Sequence, residues 1–254
     1  MEKLILISND DGIYAPGIKA LYEVASSFGA VSVVAPASEQ SAVGHAITIS
    51  DPIKIKKIER NSIFSGFAVT GTPADCVKLA VKVLLEKKPD MVISGINLGP
   101  NTGISVIYSG TVSAATEGTI LGIPSIAISL GSFTSPEWET AKYAAKLIIE
   151  KAVKYGLPAD VLLNVNVPNI SIAELKGIKI TRMGSSRFEE IFHQRSNPAG
   201  DIYYWLDGEL KIIGDSSGTD IEALHDGYIS ITPISYDLTN YSAIATIQER
   251  FLKN

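Results

Sequence analysis

The sequence predicts an α/β fold: a doubly wound, mostly parallel, Rossmann-like sheet with a C-terminal hairpin and helix as an extension. Three observations predict it. Leu4–Ser8 and residues 31–35 are continuous apolar runs, the mark of strands covered on both faces. Between and after them lie segments with helical spacing of apolar residues, so that strand, helix and strand recur in order and imply parallel strands with right-handed crossovers. Beyond about Pro168 this rhythm gives way to short alternating stretches, and the chain reads as one domain over 1–254, with a core of about 1–168 and an extension of about 169–254.

Each element has its own warrant. Residues 16–28 place Ile18, Leu21, Tyr22 and Ala25 on one helical face and stop before Gly29. Residues 53–69 interrupt the pattern with isoleucines among lysines and read as an inserted hairpin. Pro73 opens the next helix, with Thr72 as its cap, Asp75 in its first turn, and Val77, Ala80, Val81 and Leu84 on one face. Cys76 lies on that helix among apolar residues and reads as core. Residues 91–94, 125–129 and 161–167 are further strands, 112–121 and 136–155 further helices. In the extension, Tyr203, Tyr204 and Trp205 precede Asp207-Gly208, a hairpin turn signal, and Leu210, Ile212 and Ile213 follow it. Residues 227–233 form a last strand and Tyr241–Leu252 a terminal helix.

Composition narrows the function. At 254 residues the chain can bury a core without disulfides, and with Cys76 its only cysteine it can form none internally. No run of about 18 apolar residues suggests a membrane span. The opening MEKLILIS runs straight into a turn and reads as no leader, so cytoplasm is the expected compartment. A net charge of −5 without a basic face argues against a nucleic-acid polymer as partner. No G-x-G-x-x-G follows a strand, which removes the dinucleotide reading.

In doubly wound sheets, ligands bind outside the carboxyl ends of the strands, and the polar signals of this chain fall there. Asn9-Asp10-Asp11-Gly12 follows the first strand. Two adjacent carboxylates about 4 Å apart repel by roughly 4 kcal/mol at an effective dielectric near 20. A proton, water or a cation relieves that repulsion, and oxygen ligands beside a phosphate suit Mg²⁺ or Mn²⁺. After the second strand, Ser41 offers a neutral oxygen and His45 an imidazole. After the strand at 91–94, Asn97 offers an amide oxygen and Asn101 donors. Tyr108-Ser109-Gly110-Thr111 then opens a helix whose free N–H groups and positive dipole end would face an anion.

Together these stretches resemble the SurE family of nucleotidases. LISNDDG, VVAP, QSAVGHAIT, TGTPADCVKLA, VISGINLGPN, YSGTVSAATEG and GIPSIAIS carry the resemblance in order from Leu4 to Ser129, and GYISITPIS extends it to Ser235. The resemblance implies one divalent ion per subunit, Mg²⁺ or Mn²⁺, on Asp10, Asp11, Ser41 and Asn97. It implies a phosphate site lined by Asn9, Gly44, His45, Asn101, Ser109, Gly110 and Thr111. It implies hydrolysis of nucleoside 5′- and 3′-monophosphates to nucleoside and phosphate, with some reach to polyphosphate. It also implies a homodimer or homotetramer formed by exchange of C-terminal elements. Where relatives often carry a basic residue beside the serine, this chain has Glu39-Gln40, which argues against a polyphosphate preference.

The expected chemistry is in-line attack on phosphorus, with Asp10 and Asp11 at the metal, Asn101 fixing the phosphoryl group and His45 protonating the leaving oxygen. The nucleophile is a metal-activated water or a carboxylate oxygen, and water is favoured. A phospho-acceptor signalling domain also carries an acidic pair after its first strand. It would add a third acid and a lysine, and the corresponding places here hold Asn97 and Leu130-Gly131.

Overall fold

The structure, a computed structural model, describes residues 2–60 and 63–252. Its elements in chain order begin with β1 (Leu4–Ser8), α1 (Pro16–Ala25), β2 (Ala30–Pro36), β3 (Ile55–Arg60), β4 (Phe64–Val69) and α2 (Pro73–Leu79), which runs on as a wider π turn over Ala80–Leu84. They continue with β5 (Met91–Leu98), α3 (Ser105–Tyr108), α4 (Gly110–Ile120), β6 (Ser125–Leu130), α5 (Trp138–Tyr155) and β7 (Leu162–Val167). The extension holds β8 (Ile178–Ile180), β9 (Ser186–Ser196), β10 (Ile202–Ile212), α6 (Asp220–His225), β11 (Ile229–Ile234) and α7 (Tyr241–Leu252).

Nine strands form the main sheet in the order β3-β4-β2-β1-β5-β6-β7-β11-β8. The run from β4 to β7 is parallel, while β3 and β11 pair antiparallel with β4 and β7. This is the doubly wound, mostly parallel sheet that the alternation of elements implies. The alternating side chains of β1 serve the two layers: Ile5 and Ile7 pack with Ile18 and Leu21 of α1 and Ile148 of α5. Leu6 points the other way, with Val34, Val69 and Val92 against Cys76 and Val77 of α2 and Ala114 of α4. Thr72 caps α2 through a capping box with Asp75.

Two expectations change. The stretch at 53–69 does form a hairpin, but not an insertion: β4 pairs with β2 in parallel and extends the main sheet. Residues 61 and 62 of this stretch lie outside the described residues. The second hairpin does not turn at Asp207-Gly208. Both residues sit inside β10, opposite Ile191 and Glu190, and the chain reverses at residues 197–201. There Asn197 Oδ1 accepts from Ala199 N (3.0 Å) and Asp201 N (2.9 Å), a local side-chain turn followed by Gly200 at φ +93°. Gly208 sits at φ +150°, which side-chain-bearing residues rarely adopt, and its Cβ would lie 2.2 Å from Glu189 O, so glycine serves a close strand approach there.

The β9–β10 hairpin forms a separate two-stranded sheet, and large apolar side chains on it stay in solvent, among them Phe192 (64% exposed) and Trp205 (66%). α7 buries none of its residues. Among the described residues, no helix is long and apolar enough to cross a membrane.

Candidate active site

The sheet order reverses at β1, with β2 on one side and β5 on the other, and the crevice at this switch point receives the loops after β1 and β5. A cleft of about 230 Å³ opens there, lined by Asp10, Ser41, Asn97, Asn101, Ser109 and their neighbours Leu98 to Pro100, Ser105, Tyr108 and Phe133. Five of the residues singled out by sequence therefore meet in one cavity.

The turn after β1 is tightly built. Asn9 is fully buried, and its Nδ2 donates to Gly12 O at 2.9 Å. Gly12 sits at φ +95°, a conformation suited to glycine. Gln40 N donates to Asp10 O at 2.8 Å, which draws the loop carrying Ser41 against the acidic turn. Asp10 is 5% exposed, and both the hydroxyl and the backbone N–H of Thr111 donate to its carboxylate. Gly110 makes this approach possible: a Cβ there would stand 2.7 Å from Asp10 Cβ and 3.1 Å from Pro73 Cγ.

The first turn of α4 faces the Asp10 carboxyl group. Thr111 is fully buried and positions that acid, and Gly110 admits it. Ser109 lines the cleft while its Oγ accepts from Val112 N at 3.1 Å as the helix cap.

Asn97 and Asn101 are oriented by neighbours. Asn97 lies within β5, at a register shift against β6, rather than in a loop after the strand. Its Nδ2 donates to Gly99 O at 2.7 Å, which fixes the amide and leaves Oδ1 as an available acceptor. Asn101 is clamped by β7: its N–H donates to Asn166 Oδ1 (2.8 Å), and its carbonyl accepts from Asn164 Nδ2 (2.8 Å) and Asn166 Nδ2 (3.1 Å). Its own Nδ2 donates to Ser129 Oγ at 2.8 Å.

His45 is not among the residues lining the cleft. Its Nε2 lies 3.0 Å from Glu117 Oε2, and Lys78 Nζ lies 2.8 Å from the other oxygen of that carboxylate. Burial works against the Glu117 charge, but hydrogen bonds from His45 and Lys78 outweigh it and hold the carboxyl below its usual range. Through Glu117, His45 ties its loop to α4. Gly44 N donates to Tyr108 O (3.0 Å) and Thr48 N to Asp75 Oδ1 (3.1 Å), two more ties on the same loop.

The electrostatics of the acidic pair are unbalanced. Burial raises the Asp10 pKa, only partly offset by the Thr111 bonds. Burial and then the charge of Asp10 push Asp11 up to about 7, against a backbone hydrogen bond from Leu98, and Glu39 raises both acids further. Ser41 is exposed and donates to Glu39 Oε1 at 2.5 Å. Among the described residues no cluster of three or more His, Cys, Asp or Glu could hold an ion. A cation here would rest on two carboxylates completed by the neutral oxygens of Asn97 and Ser41. That all-oxygen set fits Mg²⁺ or Mn²⁺, and the raised acids are the groups such an ion would relieve.

A pH dependence follows for the metal-free chain. Between the ordinary carboxylate value of 3.8 and about 7, folded Asp11 holds a proton that the unfolded chain lacks. Its contribution to stability is full below about 4 and is lost as pH rises through about 7. Melting in chelator should therefore move to lower temperature from pH 5 to pH 8. Mg²⁺ or Mn²⁺ should flatten that slope, and a chelated protein whose melting point climbs over this range would contradict the assignment. Below pH 4 the depressed Glu117 and Asp75 dominate with the opposite sign, since their stabilisation is lost as they take up protons.

The model of the family described as Survival protein SurE matches residues 5–190. The chain belongs to the SurE family. It is 48% identical over 246 residues to the 5′-nucleotidase SurE of Heliobacterium modesticaldum, covering 96% of this chain and 90% of that protein. With the 5′-nucleotidase SurE of Carboxydothermus hydrogenoformans it shares 50% identity over 243 residues, 93% and 92% of the two chains. The crystal structure of the SurE protein from Aquifex aeolicus superposes with a TM-score of 0.84 at 45% identity, covering 97% of this chain and 99% of that one.

Several supports of this SurE-type site escaped the sequence reading: Asn164 and Asn166, Ser129, Glu117 with Lys78, and Asp220. Fully buried Asp220 accepts from Gly103 N (2.9 Å) and Gly184 N (2.7 Å), and Ser186 Oγ accepts from Ile104 N (3.1 Å), so the extension holds the loop before α3. A signal existed for the asparagines: two polar residues at alternate places in the apolar strand LLNVNV point to one face and need buried partners.

Proposed function

We propose that the chain is a metal-dependent phosphomonoesterase that hydrolyses nucleoside 5′-monophosphates, with 3′-monophosphates as further substrates, to nucleoside and phosphate. The observation that carries this reading is the meeting of Asp10, Ser41, Asn97, Asn101 and Ser109 in one cleft at the switch point of the sheet. The names of relatives about half identical over nearly the whole chain supply the substrate class.

In this reading Asp10, Asp11, Ser41 and Asn97 hold one Mg²⁺ or Mn²⁺ ion. When bound, such an ion supplies Lewis-acid stabilisation of charge on the phosphoryl oxygens. Thr111 and the α4 terminus aim Asp10 and offset part of the cost of its burial. Asn101, held rigid by β7, and Ser109 orient the phosphoryl group, since positioning within a closed set of donors carries much of phosphoryl transfer. Glu117 and His45 hold the Ser41 loop.

The exposed apolar faces of the β9–β10 hairpin and α7 support assembly with a second copy through these C-terminal elements, as a homodimer or homotetramer. The test of function is a phosphate-release assay on a panel of nucleoside 5′- and 3′-monophosphates with Mg²⁺, Mn²⁺ or chelator. Release should require the metal and be greatest for 5′-monophosphates; no release from any of them would overturn the proposal.

A further inference from the structure

Two large side chains at the cleft have no place in phosphate chemistry. Phe133 and Tyr108 line it alongside Asp10, Asn97 and Asn101, yet they are 75% and 58% exposed. Single exposed aromatics are ordinary on a protein surface. These two differ because they come from separate elements, α3 and the loop after β6, and share one cavity with Asp10.

The position of Phe133 is also built rather than incidental. A Cβ on Gly99 would lie 2.2 Å from Phe133 Cε1, so the ring rests on backbone that only glycine exposes, at φ +104°. Gly99 N in turn donates to Leu130 O at 3.0 Å. The loop that carries the ring is pinned on either side: Gly131 N donates to Val167 O (2.8 Å), Thr134 N to Ser132 Oγ (3.2 Å), and Asn169 Nδ2 to Ser135 O (3.2 Å). An aromatic held on a fixed loop with most of its surface free is a platform with a preset position. Tyr108 is fixed as well, since its carbonyl accepts from Gly44 N and it precedes the Ser109 cap.

We propose that Phe133, with Tyr108 lining the same cleft, is the stacking platform for the nucleobase of the substrate. The inference rests on the nucleotidase reading and adds the determinant of nucleotide over simple sugar phosphate. The polar part of the cleft takes the phosphate and the aromatic part takes the flat base. Stacking uses a π-face that every base has, so the platform favours nucleotides as a class without choosing strongly among them.

The test compares adenosine 5′-monophosphate with ribose 5-phosphate, which lacks the base, on the wild type, Phe133→Ala and Phe133→Trp in saturating Mn²⁺. Phe133→Ala should reduce kcat/KM for adenosine 5′-monophosphate about tenfold, mainly through KM, because stacking is a binding interaction. Ribose 5-phosphate should change less than about twofold, and Phe133→Trp should restore nucleotide turnover. An equal loss on both substrates would overturn the platform and make the ring a prop for the Gly99 loop; no loss on either would also overturn it. Wild-type protein that releases no phosphate from any nucleoside monophosphate would instead remove the nucleotidase reading and the platform with it. Wild-type turnover that ignores Phe133→Ala removes the platform alone.

Discussion

Asp10→Asn is expected to lower phosphate release from nucleoside monophosphates on the order of a thousandfold, the upper range for loss of one preorganised electrostatic group. The same variant should melt at a higher temperature than the wild type in chelator. The two effects share one cause. Asp10 is 5% exposed, burial disfavours its charge, and Asp11 and Glu39 lie close enough to add repulsion. An amide has nearly the same shape, still accepts from Thr111, and removes the charge. Functional sites often hold such groups at a cost in stability. The measurement is paired: turnover with Mg²⁺ or Mn²⁺, and melting with and without the ion. Variant activity above about a tenth of wild type would show that Asp10 is not central to this electrostatic design. Melting below the wild type in chelator would show that its charge stabilises the fold.

Gly17→Ala should have a comparably large effect by a steric route. Gly17 is buried in the first turn of α1, and a Cβ there would lie 1.8 Å from Ile96 O. No rotamer relieves a clash with backbone, so α1 or β5 must move. Overpacking of this kind costs about 3 kcal/mol, which in a chain of this size lowers the melting point by about 10 °C. The displaced strand also carries Asn97, next to the site of the clash. Turnover at 20 °C, well below unfolding, should therefore fall in the variant, whereas a control at exposed Lys146 on α5, Lys146→Ala, should leave both quantities close to wild type. A Gly17→Ala protein that melts within about 2 °C of the wild type would refute the packing argument.

Much of the site was legible because its chemistry is local in sequence. Asp10, Asp11, Ser41, Asn97 and Ser109 each follow or end a strand or cap a helix, and periodicity places such positions. Asn97 falls beyond the strand expected at 91–94, whereas β5 continues through a register shift to Leu98. What periodicity could not show were the partners that the fold supplies from far away. Thr111 reads as one more hydroxyl at a helix start until β1 brings Asp10 against it. Asn164 and Asn166 share one face of an apolar strand, but only the pairing of β7 with β6 shows that their partner is Asn101. Glu117 is one acid in an apolar helix, and its link to His45 spans 72 residues. The hairpin turn was misplaced for a local reason: Asp-Gly is a strong turn signal, but Asn197 and Gly200 flank a tighter reversal a few residues earlier.

The bond from Gly103 N to Asp220 crosses 117 residues of chain. That separation sets an order of events during synthesis. The acidic pair, the Ser41 loop and the cap at Ser109 have all been translated by the time β5 and α4 can pack. The loop between Asn101 and Ser105 cannot close on Asp220 until the segment leading into α6 has left the ribosome. The substrate side of the cleft is therefore finished last, and a nascent chain ending before residue 220 carries the acids of the site without its completed wall.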